Sequence, residues 1–211
     1  IPGTAGPYIA YILTVPAVAA TLWFFRREYA ELAWRGLDRA TVNLALAAGA
    51  VGIALWILPY HLAPATMQRL SLSSLLARLG LGSAGSVDAV FDPHQLPPGL
   101  RELFLAARIA GAVVLIPFVE ELAHRSAILR FVIDPRFRDV PVGKYTPSSF
   151  WIGLAFFAFT HEEWIVAAVW GALVTGLLYR TRRIEACVIA HAASNAILAA
   201  YVLARGAWHL W

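Results

Sequence analysis

The chain is short of the residues that would make it a secreted disulfide scaffold or a soluble enzyme. Among its 211 residues there is one cysteine, Cys187. That excludes an internal disulfide and any zinc site built from several thiolates, and leaves packing as the role of the thiol. Charge is scarce as well. Asp, Glu, Lys and Arg make up 14% of the residues against 60% hydrophobic, and the mean hydropathy of +0.66 is too high for a soluble globular domain. No internal repeat, second domain or secretory signal with its cleavage site is evident. Residues 1–211 therefore read as a single transmembrane domain whose first apolar stretch is a retained span.

What is present is a set of apolar segments at 7–25, 41–60, 109–119, 150–160, 164–179 and 186–204. Since a helix needs about 20 residues to cross the hydrocarbon core, they predict an all-α, polytopic membrane protein of about six transmembrane helices. The third, fourth and fifth reach full length only by taking in polar residues, as expected of helices that line an interior site instead of facing lipid.

The net charge of +4 does not point to nucleic acid, because the basic residues are dealt out between spans instead of gathered in a stripe. Arg26, Arg27, Arg35 and Arg39 fill the first connection, Arg130, Arg136, Arg138 and Lys144 the third, and Arg180, Arg182 and Arg183 the fifth. The positive-inside rule then makes the odd-numbered connections cytoplasmic. Between the second and third spans, residues 70–81 are amphipathic. Leu72, Leu75, Leu76 and Leu79 share one helical face, with Arg69 and Arg78 available to headgroups, which fits an interfacial helix or an ordinary loop helix. A Gly-, Pro- and Ser-rich stretch follows over 80–99. Asp134-Pro135 ends the third span, since proline restricts the residue before it and has no amide hydrogen to donate.

The most informative stretch is Glu120-Glu121-Leu122-Ala123-His124-Arg125, two carboxylates, an imidazole and a guanidinium within a run otherwise apolar enough to cross a membrane. An ionisable residue at that depth costs roughly 2.5 to 3.5 kcal/mol on insertion scales and marks a functional site by default. Two later spans repeat the anomaly, with Phe157-x-x-x-His161 in one and His191-x-x-x-Asn195 in the other. In an α-helix Glu121 and Arg125 are neighbours in the favourable order and neutralise each other. Glu120 points about 100 degrees away, with no cation of its own; desolvation there suits a general base. At about 1.5 Å per residue, Glu120 lies ~16 Å from the helix end near Phe131, His161 ~16 Å from the end near Phe150, and His191 and Asn195 ~10 and ~16 Å from the start near Ile184. The polar side chains then converge at one depth. Glu162 and Glu163 read as a solvated turn.

The motifs EExxxR, FxxxH and HxxxN, in this order and spacing, resemble those of the CAAX-protease and bacteriocin-processing group of glutamic-type intramembrane proteases. The likeness covers roughly residues 101–211 and is nearest to the bacterial exosortase-associated subgroup, in which segments similar to Arg180-Thr181-Arg182 and Ala186-Cys187-Val188-Ile189-Ala190-His191 recur. The resemblance implies that Glu120 and His161 activate a water for attack on a scissile carbonyl and that His191 and Asn195 stabilise the oxyanion. Glu121, Arg125 and Phe157 would support them. A carboxylate base plus fixed donors in a water-poor cavity makes that chemistry plausible. The older reading of the group makes Glu120, His161 and His191 zinc ligands. Here H-E-x-x-H is absent and asparagine is an unusual neighbour for such a site, so a metal-free mechanism without cofactor is favoured, with zinc as the alternative. Many members carry an aromatic residue before the motif arginine and glycine after it, where this chain has His124 and Ser126.

The expectation is a multi-pass endopeptidase of a bacterial inner membrane. Its partners are the lipid bilayer and a membrane-anchored protein substrate, lipidated or carrying a C-terminal sorting tail, with no nucleic acid. The competing expectations are a non-catalytic membrane partner or a bacteriocin-immunity-like protein, in which the same residues form only an interhelical polar network.

Overall fold

A computed structural model describes residues 6–81 and 93–210. The described residues form helices and no strands: α1 (Gly6–Phe24), α2 (Arg39–Leu62), α3 (Pro64–Arg69), α4 (Leu72–Arg78), α5 (Leu100–Phe131), α6 (Pro147–Phe159), α7 (Trp164–Thr181) and α8 (Ile184–Arg205). Helices α1, α2, α5, α7 and α8 are long and apolar enough to cross a membrane, and α6 is a shorter apolar helix of 13 residues. The chain is a multi-pass integral membrane protein.

Local sequence sets the helix ends. Asp38 caps α2 by accepting from Thr41 N at 2.7 Å, and Thr146 caps α6 by accepting from Ser149 N at 3.1 Å, with Pro147 in the first turn, where its missing amide hydrogen costs nothing. The chain leaves α7 through Arg182 in the left-handed region (φ 54°) and leaves α8 through Gly206 (φ 64°). Helix α5 stops at Phe131, three residues before Asp134-Pro135.

Helix α8 is the hub. One face packs on α2 through small residues: a Cβ on Gly49 would stand 2.4 Å from Ala190 O, and one on Gly52 would stand 2.7 Å from Trp170 Cδ1 of α7. Lipid tails are as apolar as leucine, so association here depends on such close van der Waals approach and not on exclusion of water. The centre of the bundle holds Leu129, Phe157, Trp170, Val174, Leu178, Ile184 and Val188 around the buried thiol of Cys187. Helix α1 has no buried residue and meets the bundle along α5.

The amphipathic stretch forms α4, with α3 before it; the Gly-, Pro- and Ser-rich segment falls largely outside the described residues. Glu162 lies in an exposed turn, as read from the sequence, and the structure adds partners to it. Its carboxylate accepts from Ser73 N at 3.1 Å and from the Ser73 hydroxyl, and its main-chain oxygen accepts from Leu72 N at 2.9 Å. Trp164 Nε1 donates to Leu70 O at 2.8 Å. The first turn of α4 leaves amides without helical partners, and an acceptor at the α6–α7 turn takes them. The α3–α4 hairpin is thereby fixed beside His161.

Candidate active site

Helix α5 is not α-helical throughout. It widens to π-helix over Gly111–Leu115 and again over Leu122–Ile128, on either side of the acidic pair. Pro117 explains what happens at the first of these. Ile116 N bonds to Gly111 O, five residues back, and the next bond in that register would run from residue 117 to Ala112 O. Proline has no amide hydrogen. The freed carbonyl is taken by α8, where Asn195 Nδ2 donates to Ala112 O at 2.7 Å. One amide hydrogen of Asn195 is thus committed to α5, and the carboxamide keeps a second N–H.

The two acids of α5 stand in different surroundings. Glu121 is fully buried, with Arg125 Nε 3.2 Å from Oε2 and Arg125 Nη1 3.3 Å from Oε1. It also reaches α8, where His191 Nδ1 lies 2.8 Å from Glu121 Oε1. The i,i+4 pair foreseen from helical geometry is present, and the contact with His191 is an addition to it. Glu120 is half-buried and makes no hydrogen bond or ion pair with another described residue.

Two imidazoles are oriented through the same ring nitrogen. A carbonyl or a carboxylate can only accept, so His161 Nδ1, 2.8 Å from Phe157 O, and His191 Nδ1 both carry hydrogen. Each ring is left with Nε2 for chemistry. Carboxylate orientation of an imidazole is the arrangement that fixes its tautomer and stabilises the imidazolium when it takes a proton.

Phe157 is the platform between them. Its ring stacks on Trp170 at 5.4 Å, meets the His161 ring at 4.6 Å and the His124 ring at 5.0 Å, and lies 4.5 Å from the Arg125 guanidinium carbon. Trp170 in turn meets the His191 ring edge-on at 4.6 Å and donates to Ser194 Oγ at 3.1 Å, and Ser194 donates to Gly49 O at 2.9 Å. Sequence reasoning missed Trp170, Ser194 and Gly49. The available signals were the Gly49-x-x-Gly52 spacing and the place of Ser194 beside Asn195. His124 packs between Phe156 and Phe157, and its buried Nδ1 has no hydrogen-bond partner among the described residues. Ser126, the second departure from the pattern, bonds to Glu31 and Arg130.

Among the described residues no three His, Cys, Asp or Glu side chains are grouped so that they could hold a metal ion. Glu120, His161 and His191 are not grouped as a ligand set.

Comparison with known proteins bears on one segment. Residues 102–197 match the family model described as type II CAAX prenyl endopeptidase, Rce1-like. No curated protein and no solved structure matches the chain. The matched segment runs from the first turn of α5 into α8 and takes in all three motifs, so its boundaries enclose every motif residue. Helices α1 and α2 lie outside it, although Gly49 of α2 supports the α8 face next to Asn195.

Proposed function

We propose that this protein is an intramembrane endopeptidase that hydrolyses a peptide bond of a membrane-anchored protein, lipidated or bearing a C-terminal sorting tail, without a metal. The observation that carries this reading is the hydrogen bond from His191 to Glu121, which joins the first and third motifs inside a segment similar to prenyl endopeptidases. Glu121, neutralised by Arg125, holds the His191 ring. Glu120, the carboxylate without an internal partner, takes the proton of a water oriented by His161 Nε2; the water oxygen attacks the scissile carbonyl, and Glu120 returns the proton to the leaving nitrogen as the C–N bond breaks. His191, protonated on Nε2 as well as Nδ1 beside the Glu121 carboxylate, and the second amide hydrogen of Asn195 face the developing oxyanion. Fixed donors of this kind need no reorganisation as charge develops, and the removal of one such donor typically slows an enzyme about 100- to 1000-fold.

The test is cleavage of a panel of membrane-anchored peptides, prenylated and unprenylated, by the wild type and Glu120→Gln, with and without chelator. Cleavage by the wild type that survives chelation and falls at least about 100-fold in the variant is the expected result. Equal cleavage by both removes Glu120 from the chemistry. Reversible loss on chelation restores the metal reading. No cleavage of any substrate by either protein would favour a non-catalytic partner that keeps the same polar network for packing.

A further inference from the structure

A second polar site lies away from the motifs, on a neighbouring face of α5. An open cavity of about 550 Å³ is floored by Leu122, Ser126 and Arg130 of α5 and walled by the connections that follow α1 and α5. Both connections leave the end of a membrane-spanning helix, and the positive-inside rule assigns both to the same side, which would put the cavity near the headgroups.

Its cation is held on several sides by α5 and the following loop, and its counter-charge comes from a different connection. Arg130, 6% exposed, donates to Ser126 Oγ at 2.6 Å, to Ser126 O and to Val140 O at 3.3 Å, and its guanidinium carbon lies 5.4 Å from the Phe137 ring. Those partners hold it against α5 and the following loop. Its counter-charge is Glu31, whose Oε1 is 3.1 Å from Arg130 Nη2 and also accepts from the Ser126 hydroxyl. Glu31 stands on a connection without helix. A nearly buried guanidinium and a hydroxyl, both aimed at one carboxylate oxygen, form a ready receptor for another anionic oxygen.

The remaining charges select the ligand. Besides Arg130 the cavity is lined by Arg138, and besides Glu31 by Glu28 and Asp139, two cations and three carboxylates, with Arg138 Nη1 in an exposed ion pair 4.0 Å from Glu28 Oε2. A simple anion would meet three like charges and a simple cation two. A zwitterion meets complementary charge at both ends.

We propose that this cavity binds the headgroup of an amine-bearing phospholipid of the phosphatidylethanolamine type. The phosphate takes the place of the Glu31 carboxylate on Arg130 and Ser126. The released Glu31, with Glu28 and Asp139, receives the ammonium, and the acyl chains stay in the bilayer beside α5.

The experiment is native mass spectrometry of the full chain, delipidated and exchanged into equal amounts of phosphatidylethanolamine, phosphatidylglycerol and phosphatidylcholine. The ethanolamine lipid should be retained about five- to tenfold over both others, the size expected of one or two charge-assisted hydrogen bonds. Ser126→Ala, which leaves no buried charge behind, should lower retention of all three lipids through the phosphate end, and Glu28→Gln combined with Asp139→Asn should abolish the preference for the ethanolamine lipid through the ammonium end. Equal retention of the three lipids by the wild type, retention unchanged in Ser126→Ala, or a preference unchanged in the Glu28→Gln/Asp139→Asn variant overturns the proposal. Soluble phosphoethanolamine in excess should not displace the lipid. If it does, the cavity belongs to a soluble amino phosphate ester and the lipid assignment fails.

Discussion

His191 Nδ1 and Glu121 Oε1 stand 2.8 Å apart across 70 residues of sequence, and the same carboxylate faces Arg125. One buried acid therefore serves both a cation on its own helix and an imidazole on α8. Taking charges out of water is costly, and such a pair is tolerated only while both partners remain.

Glu121→Gln keeps the shape and leaves Arg125, 2% exposed, without its counter-charge. It should destabilise the protein by about 3 to 5 kcal/mol. The double variant Glu121→Gln/Arg125→Met should recover part of that loss, whereas Glu120→Gln should stay within about 0.5 kcal/mol of wild type. Thermal unfolding in detergent reads all three. A Glu121→Gln protein as stable as Glu120→Gln would contradict the ion-pair account.

Asn195 has two jobs that can be separated. Asn195→Ala strands Ala112 O and should cost about 1 to 3 kcal/mol. Pro117→Ala returns an amide hydrogen to α5 and should relieve much of that cost in the double variant. If the second amide hydrogen serves the oxyanion, cleavage remains impaired in the double variant although stability returns. Recovery of both together would make Asn195 a packing residue.

The α3–α4 hairpin should respond to acid. Burial pushes the Glu162 carboxyl up, but hydrogen bonds from the Ser73 hydroxyl and amide outweigh it and hold the group below its ordinary range. Its contribution is therefore complete above the unfolded value of about 4.3 and disappears as pH falls through the lower folded value. Protection of the Leu72 and Ser73 amides, corrected for intrinsic exchange, should be constant near neutrality and fall below about pH 4. Glu162→Gln should show weaker protection with no such acid transition, and a transition that persists in this variant would assign it to another group.

Close approach of α2 and α8 predicts opposite outcomes at two glycines. Gly49→Ala drives a methyl group into the Ala190 carbonyl and should cost about 1 to 3 kcal/mol. Gly176 of α7 has nothing within 4 Å of an added Cβ, so Gly176→Ala should gain up to about 1 kcal/mol through helix propensity alone. The two melting temperatures, measured together, check both.

Composition and order of residues were enough for the coarse picture. Runs of apolar residues must become helices in lipid, because no other open structure satisfies the backbone there. Asp134-Pro135 marked the end of α5, Asp38 and Thr146 capped as their side chains dictate, and the six polar motif positions with Phe157 were recognisable by spacing. Glu121 with Arg125 was legible because both lie on one helix, four residues apart. Partners on different helices were not. That Glu121 also holds His191, that Glu162 ties down α4 and that Glu31 reaches Ser126 and Arg130 depend on how the helices are set against one another. The widening of α5 on either side of Glu120 and Glu121 was hidden as well, since α and π turns differ by one hydrogen-bond step. Pro117 frees a carbonyl by its own chemistry, but only the packing of α8 determines that Asn195 fills the gap.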